Sequence, residues 1–319
     1  MRKIRVKCID FWLDFRFKDS CFYKILSQKY EVEESETPDI LLFSCFGREY
    51  LEPRYNTCIK IFFTGESITP DFNLCDYGLG FDHLTFSDRY MRLPLFYTYS
   101  SFDYLKKKKM DRTSNQLLNR KFCSFVVSNA NADPIREKFY KRLNEYKQVD
   151  CGGRLYNNVG GAVADKLDFI SQYKFNIAIE NYSKPGYTTE KIMESFVSDT
   201  VPIYWGNPLI NEDFNPSAFI NLHDFFSIED AVQRIVEIDN NDKEYLRFFS
   251  YGDDLICGIG KNYEEYLLQF FDNIIDQIET GTAKRIQENS QYKNKMVQAL
   301  KYHEISFNIK RKISKIIGR

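Results

Sequence analysis

The sequence predicts an α/β protein made of two Rossmann-like halves that face each other across a cleft. Three observations carry this. The chain has 319 residues, which suits two domains of ordinary size. Its apolar content of 43% is enough to fill real cores. Short β-branched and aromatic runs alternate with amphipathic stretches in both halves, the pattern of repeated strand–helix units on a parallel sheet. The expected division is 1–115, 116–283 and a basic helical tail, 284–319.

In the first half, residues 4–9 read as a strand, 21–28 as a helix and 30–33 as extended chain. Pro38-Asp39 breaks the chain before the apolar run 40–43, a buried strand. Residues 59–63 form another strand that runs into Thr64-Gly65-Glu66, and 77–81 a further one. The lysine run 106–109, beside a Ser/Asn-containing stretch at 111–119, reads either as a linker or as a solvated helix face.

The second half restarts the pattern. Residues 121–127 read as a strand, and Asp133-Pro134 opens a helix that runs to 146, with proline at an early position. Cys151-Gly152-Gly153 and Gly160-Gly161 signal turns. Residues 164–174 read as a helix, 175–180 as a strand, 188–197 as a helix, and 201–205 and 219–222 as strands. Ser227 caps a helix over 227–238 with Asp230 at its third position, and 263–278 is a long helix with an apolar face.

Composition excludes several functions. A net charge of −1 argues against nucleic-acid binding by the molecule as a whole. The ten Lys/Arg in 284–319, against two acids, suggest an anionic surface as partner for that segment alone. The eight cysteines contain no C-x-x-C pair and sit mostly in apolar runs, so buried free thiols in a reducing compartment are expected. The charged N-terminus does not suit a signal peptide, and no apolar run reaches the ~18 residues of a membrane helix. A cytoplasmic protein, soluble or peripheral on the inner membrane, is therefore expected.

The chemistry concentrates at Phe175-Asn-Ile-Ala-Ile-Glu180-Asn181, followed by Tyr182 to Tyr187 and then Thr188-Thr189-Glu190-Lys191-Ile192. A strand ends at a carboxylate and an amide, a Pro185-Gly186 loop follows, and a helix begins. Ligands of open α/β folds bind at such carboxyl ends, and a helix start offers free N–H groups to phosphate. Lys191 can add a full positive charge there, and Glu190 can accept from ribose hydroxyls. Taken alone, a Glu-Lys pair at a helix start is usually a solvated pair.

The longer string, Glu180-Asn181, Gly186 to Ile192 and Val201-Pro-Ile-Tyr-Trp-Gly-Asn-Pro208, resembles the signature of the α-1,3/4-fucosyltransferase family, in particular its bacterial, Lewis-antigen members. Phe63-Thr-Gly-Glu66 with Pro70-Asp-Phe-Asn73, Ser128-Asn129 with Pro134-Ile135-Arg136, Phe214-Asn-Pro216 and His223-Asp-Phe225 extend the resemblance. It implies the GT-B fold, GDP-fucose as donor and a first domain that binds the acceptor. It assigns Glu66 as the general base of an inverting transfer, taking the proton of the attacking N-acetylglucosamine hydroxyl. Desolvation in a closing cleft would raise that carboxylate's proton affinity. Arg136 and Lys191 match the pyrophosphate cations, Glu190 the ribose carboxylate, and Asn181 and Tyr187 residues near the phosphates and fucose. Glu180 is placed near the fucose, and Gly152-Gly153 resembles a short glycine loop by the nucleotide. The implied acceptor is N-acetyllactosamine on a lipid-linked glycan.

No Asp-x-Asp occurs, and His83, His223 and His303 lie far apart in sequence, so no essential metal is expected. The heptad repeats common in bacterial members are not visible. Apolar residues at 309, 313, 316 and 317 mark one helical face flanked by lysines. That face fits either a membrane surface or the body of the protein.

Overall fold

A computed structural model describes residues 1–108, 112–252, 254–286, 291, 294–299 and 302. The first sheet contains β1 (Arg2–Ile9), β2 (Tyr30–Glu34), β3 (Ile40–Phe43), β4 (Ile59–Phe62), β5 (Tyr77–Gly80) and β6 (Tyr90–Arg92), all parallel, in the order β2-β1-β3-β4-β5-β6. The second contains β7 (Lys121–Phe125), β8 (Val149–Cys151), β9 (Tyr173–Ile179), β10 (Val201–Trp205) and β11 (Ile220–Asn221), also parallel, in the order β11-β10-β9-β7-β8. β3, β4, β5 and β10 are buried along their whole length, as strands covered on both faces must be.

The helices are α1 (Cys21–Leu26), α2 (Ser100–Lys107), α3 (Ser114–Leu118), α4 (Ile135–Tyr146), α5 (Lys166–Ile170), α6 (Glu190–Val197), α7 (Ile228–Asp239), α8 (Asp242–Arg247) and α9 (Tyr263–Thr280). Local chemistry sets several starts. Ser20 accepts from the Tyr23 amide, Ser227 from the Asp230 amide, and Thr113 forms a reciprocal capping box with Gln116. Gly281, at φ 69°, ends α9 in the left-handed conformation that glycine adopts freely.

Three expectations change. The helix expected over 164–174 is only the five residues of α5, because Tyr173 already pairs with Lys121 of β7 at the start of the central strand β9. The described part of the lysine run is not a linker, and only Lys107 fits the solvated helix face. Lys106 and Lys107 finish α2, and Lys108 bonds Asp199 at 2.7 Å and the Val197 carbonyl at 2.5 Å, at the C-terminus of α6. Finally, α9, expected in the second domain, covers the first sheet. Its Asp272 takes the Tyr30 hydroxyl and Lys29 ammonium, both at 2.6 Å, and Asp276 takes Arg2 at 2.9 Å. Beyond α9, the Ile286 amide bonds buried Asp76 at 2.6 Å, which anchors the start of the tail on the first sheet. The helix expected over 309–317 lies outside the described residues.

The two sheets are not separate bodies on a string. One apolar core runs from Ile4, Phe63 and Phe81 of the first half through Tyr187, Met193, Phe196 and Phe214 of the second to Phe271 of α9. A second core fills the far side of β9 and β10, and a small third one backs β3 and β4. All eight cysteines are free thiols, five of them buried. No helix among the described residues is long and apolar enough to cross a membrane.

Candidate active site

β4 and β9 each end at a carboxylate, Glu66 four residues after Phe62 and Glu180 immediately after Ile179. Glu180 is fully buried. Its carboxylate accepts the Thr189 amide at 2.7 Å, the Thr189 hydroxyl at 2.7 and 2.9 Å, and the Lys191 ammonium at 2.8 Å. An anion at the start of α6 is stabilised by the helix dipole as well as by these donors. Both Glu180 oxygens are therefore occupied in organising the helix start. Lys191 also reaches Glu190 at 3.4 Å. Burial opposes its charge, but Glu180 and Glu190 hold the ammonium above the ordinary lysine range. Burial would raise Glu190, yet Lys191 and then Lys166 bring it below the usual carboxylate range. The pair thus stays ionised, with Glu190 still partly open to solvent.

Arg136 lies in the first turn of α4 and is 4% exposed. It donates to the Asn181 side-chain oxygen at 3.0 Å and to the Asn129 carbonyl. No carboxylate among the described residues lies within ion-pair distance, and burial lowers the guanidinium's proton affinity. A buried cation without an anion is unfavourable unless an anionic ligand completes it. Asn181 ties this arginine to the end of β9, and the Asp133 amide fixes the Asn181 carbonyl at 2.7 Å. Arg136, Asn181, Glu180, Glu190 and Lys191 are therefore gathered around one strand end and two helix starts.

Tyr187 is buried, its ring edge-on to Phe81 of the first half at 4.8 Å. Burial raises its hydroxyl's pKa, and the charges of Glu180, Lys191, Glu66 and Glu190 all act on it. Glu66 therefore shares one electrostatic neighbourhood with the α6 cluster, although the two are more than a hundred residues apart in sequence. Glu66 itself is exposed, with its amide on the Thr64 hydroxyl at 3.1 Å. The burial expected around it is not present in this conformation.

Gly152 and Gly153 follow β8. A Cβ on Gly153 would stand 1.9 Å from the Val127 carbonyl oxygen, and one on Gly152 2.8 Å from the Phe169 ring. Close packing therefore requires glycine at both positions.

Little in the sequence marked the junction that holds the loop over 182–187, before α6. Arg92 of β6 forms a two-pronged ion pair with buried Asp213, at 2.7 and 2.8 Å, and donates to the carbonyls of Phe81 at 3.0 Å and Gly186 at 3.1 Å. Asp213 also accepts the Thr188 hydroxyl at 3.0 Å, and the Asn207 side-chain oxygen accepts the Gly186 amide at 2.7 Å. Lys184 reaches Asp82 at 2.7 Å and the Thr69 hydroxyl at 3.0 Å. The only sequence hint was that Asp213 precedes Phe214-Asn-Pro216; nothing marked Arg92. Gly186 has φ 86°, and a Cβ there would lie 2.0 Å from the Phe81 carbonyl oxygen. Gly186→Ala is accordingly expected to destabilise the fold by about 2 kcal/mol or more, read as a lower denaturation midpoint.

Two parallel α/β sheets whose carboxyl ends meet at one charged cleft define the GT-B class of protein. The particular family follows from comparison. The alpha-(1,3)-fucosyltransferase FucT N-terminal domain matches residues 6–99, and glycosyltransferase family 10 (fucosyltransferase) C-term matches 118–301. The chain belongs to glycosyltransferase family 10. An alpha-(1,3)-fucosyltransferase of Helicobacter pylori is 35% identical over 86% of this chain and 66% of its own length. A 3-galactosyl-N-acetylglucosaminide 4-alpha-L-fucosyltransferase of Bos taurus is 33% identical over 61% of this chain and 53% of its own. The chain thus spans about two thirds and about half the lengths of these relatives. Crystal structures of an alpha1,3-fucosyltransferase alone, with GDP and with GDP-fucose superpose with TM-scores of 0.75, 0.74 and 0.73. Their identities are 34%, 32% and 34%, each over 86% of this chain and 90–91% of theirs.

Proposed function

We propose that this chain transfers L-fucose from GDP-fucose, with inversion, to the 3-hydroxyl of N-acetylglucosamine in a Galβ1-4GlcNAc-type acceptor. The observation that carries the donor half is buried Arg136, without a carboxylate partner among the described residues, beside the start of α6. The relatives solved with GDP and GDP-fucose support the same donor. Arg136, reinforced by Lys191, binds the pyrophosphate and stabilises the negative charge that grows on GDP as its bond to fucose breaks. Glu190 accepts from the ribose, and Asn181 orients Arg136 towards the phosphates. Glu66 takes the proton of the attacking hydroxyl from the opposite wall, which is what inversion by direct displacement needs. These cations serve the leaving group in place of a metal. The acceptor is carried on a lipid-linked glycan, and the basic tail holds the cytoplasmic protein against the inner membrane.

Arg136→Met tests the donor assignment. It leaves no buried carboxylate behind, so it should change stability little, while the KM for GDP-fucose rises at least about tenfold. Steady-state kinetics with a thermal melt checks both. An unchanged donor KM would remove Arg136 from the phosphate site. An assay with paired 1-3- and 1-4-linked galactosyl-N-acetylglucosamine acceptors decides the linkage.

A further inference from the structure

Phe226 stands immediately before the cap of α7, and its side chain is fully exposed. Its position ordinarily has a local use. Ser227 caps α7 by accepting the Asp230 amide at 3.1 Å, and an apolar residue just before such a cap normally packs on the fourth residue of the helix. That fourth residue is Ala231, which is buried. Phe226 does not use it and projects into solvent instead. Lone exposed apolar residues are common on protein surfaces, but this ring is held by a capped helix start and forgoes the contact nearest to it.

A cavity of about 320 Å³ opens beside it, at the β11 edge of the second sheet. Phe219, Ile220, Ile238 and Phe248 give it an apolar floor, and it has room for a phenyl ring. Phe225, next in the chain to the exposed ring, forms part of its wall, so knob and hollow belong to one patch. None of the residues placed in the transfer reaction lines it.

The patch is also polarised. Asp224, Glu229 and Asp230 flank Phe226, and residues 224–230 contain no base. On α7 and α8, Arg234 and Arg247 share one carboxylate in the hollow, Glu244, at 3.0 and 2.6 Å, and their side chains are 41% and 66% exposed. Arg234 also reaches Glu237, which does not line the hollow, at 3.3 Å.

We propose that this patch is a two-fold interface with a second copy of this chain, in which the Phe226 ring of each protomer enters the hollow of the other. A knob beside its own hollow is complementary to itself under a two-fold rotation, and that arrangement closes at two copies. The same rotation brings each acidic 224–230 segment to the arginine side of the other protomer, so the charges match twice over.

Sedimentation velocity of the full chain over a range of concentrations tests this, together with Phe226→Ser and with Ser217→Arg, which puts a long side chain at a residue lining the hollow. The parent should dimerise. Each variant should raise the dimer dissociation constant about a hundredfold or more, because the contact is lost in both copies at once. Phe226→Ser should melt with the parent at concentrations where both are monomeric, since the ring covers nothing in its own chain. A parent that sediments as a monomer at every concentration, a dimer that survives either variant, or a lower melt of monomeric Phe226→Ser would overturn the interface.

Discussion

Glu66→Gln is expected to lower kcat for fucosyl transfer by about 100-fold or more while leaving GDP binding and thermal stability close to those of the parent. The side chain is exposed and its carboxylate makes no hydrogen bond with the described residues, so an isosteric amide disturbs no packing. What it removes is the ability to accept a proton, a contribution of about 10²–10⁴ in rate for a positioned base. Single-turnover transfer measures the chemical step directly, and protection from thermal unfolding by GDP reports the donor side. Because Glu66 and the Lys191 cluster share one neighbourhood through Tyr187, a loss confined to kcat is specific to the base. A full transfer rate in Glu66→Gln would move the base to another group.

The second large effect is expected at Arg92→Leu. Arg92 and Asp213 join the first half to the loop before α6, and their side chains are only 12% and 1% exposed. Burial opposes the guanidinium's charge, but the Asp213 carboxylate prevails and holds its proton affinity above the ordinary range. Taking away one partner of such a pair leaves the other charge buried and unpaired, which costs about 3–5 kcal/mol. Arg92 also donates to the Gly186 carbonyl, so the loop before α6 loses an anchor, and the KM for GDP-fucose should rise in protein that remains folded. The double variant Arg92→Leu/Asp213→Asn removes both charges and should recover part of the stability in a double-mutant cycle. A single-variant loss below about 1 kcal/mol would show that the junction holds without this pair.

Much of the fold was readable because the strands are short and flanked by strong breaks. Ile40–Phe43 and Val201–Trp205 emerge at their observed bounds, since an apolar run after Pro38-Asp39, or one just before Gly206, leaves little choice. β6 and β8, three residues each, carry too little pattern to stand out. In the site, the residues of the 180–191 string come together as the strand–loop–helix pattern requires. Their contacts were not readable: that Glu180 bonds Thr189 and Lys191, and that Val127 and Phe169 crowd Gly153 and Gly152, follows from how distant segments meet.

By itself, the sequence determined the two parallel sheets, the helix start that gathers charge at 180–191, and the family. Those properties follow from periodicity and short-range chemistry, which act within a few residues of one another. Only the tertiary structure decided that α9 covers the first sheet, that Arg92 and Asp213 lock the loop before α6 to the other half, and that Arg136 lies buried with no counter-ion among the described residues. An apolar helix face, a carboxylate or an arginine in a sequence states only a need. Which distant surface meets that need depends on how the two halves come together.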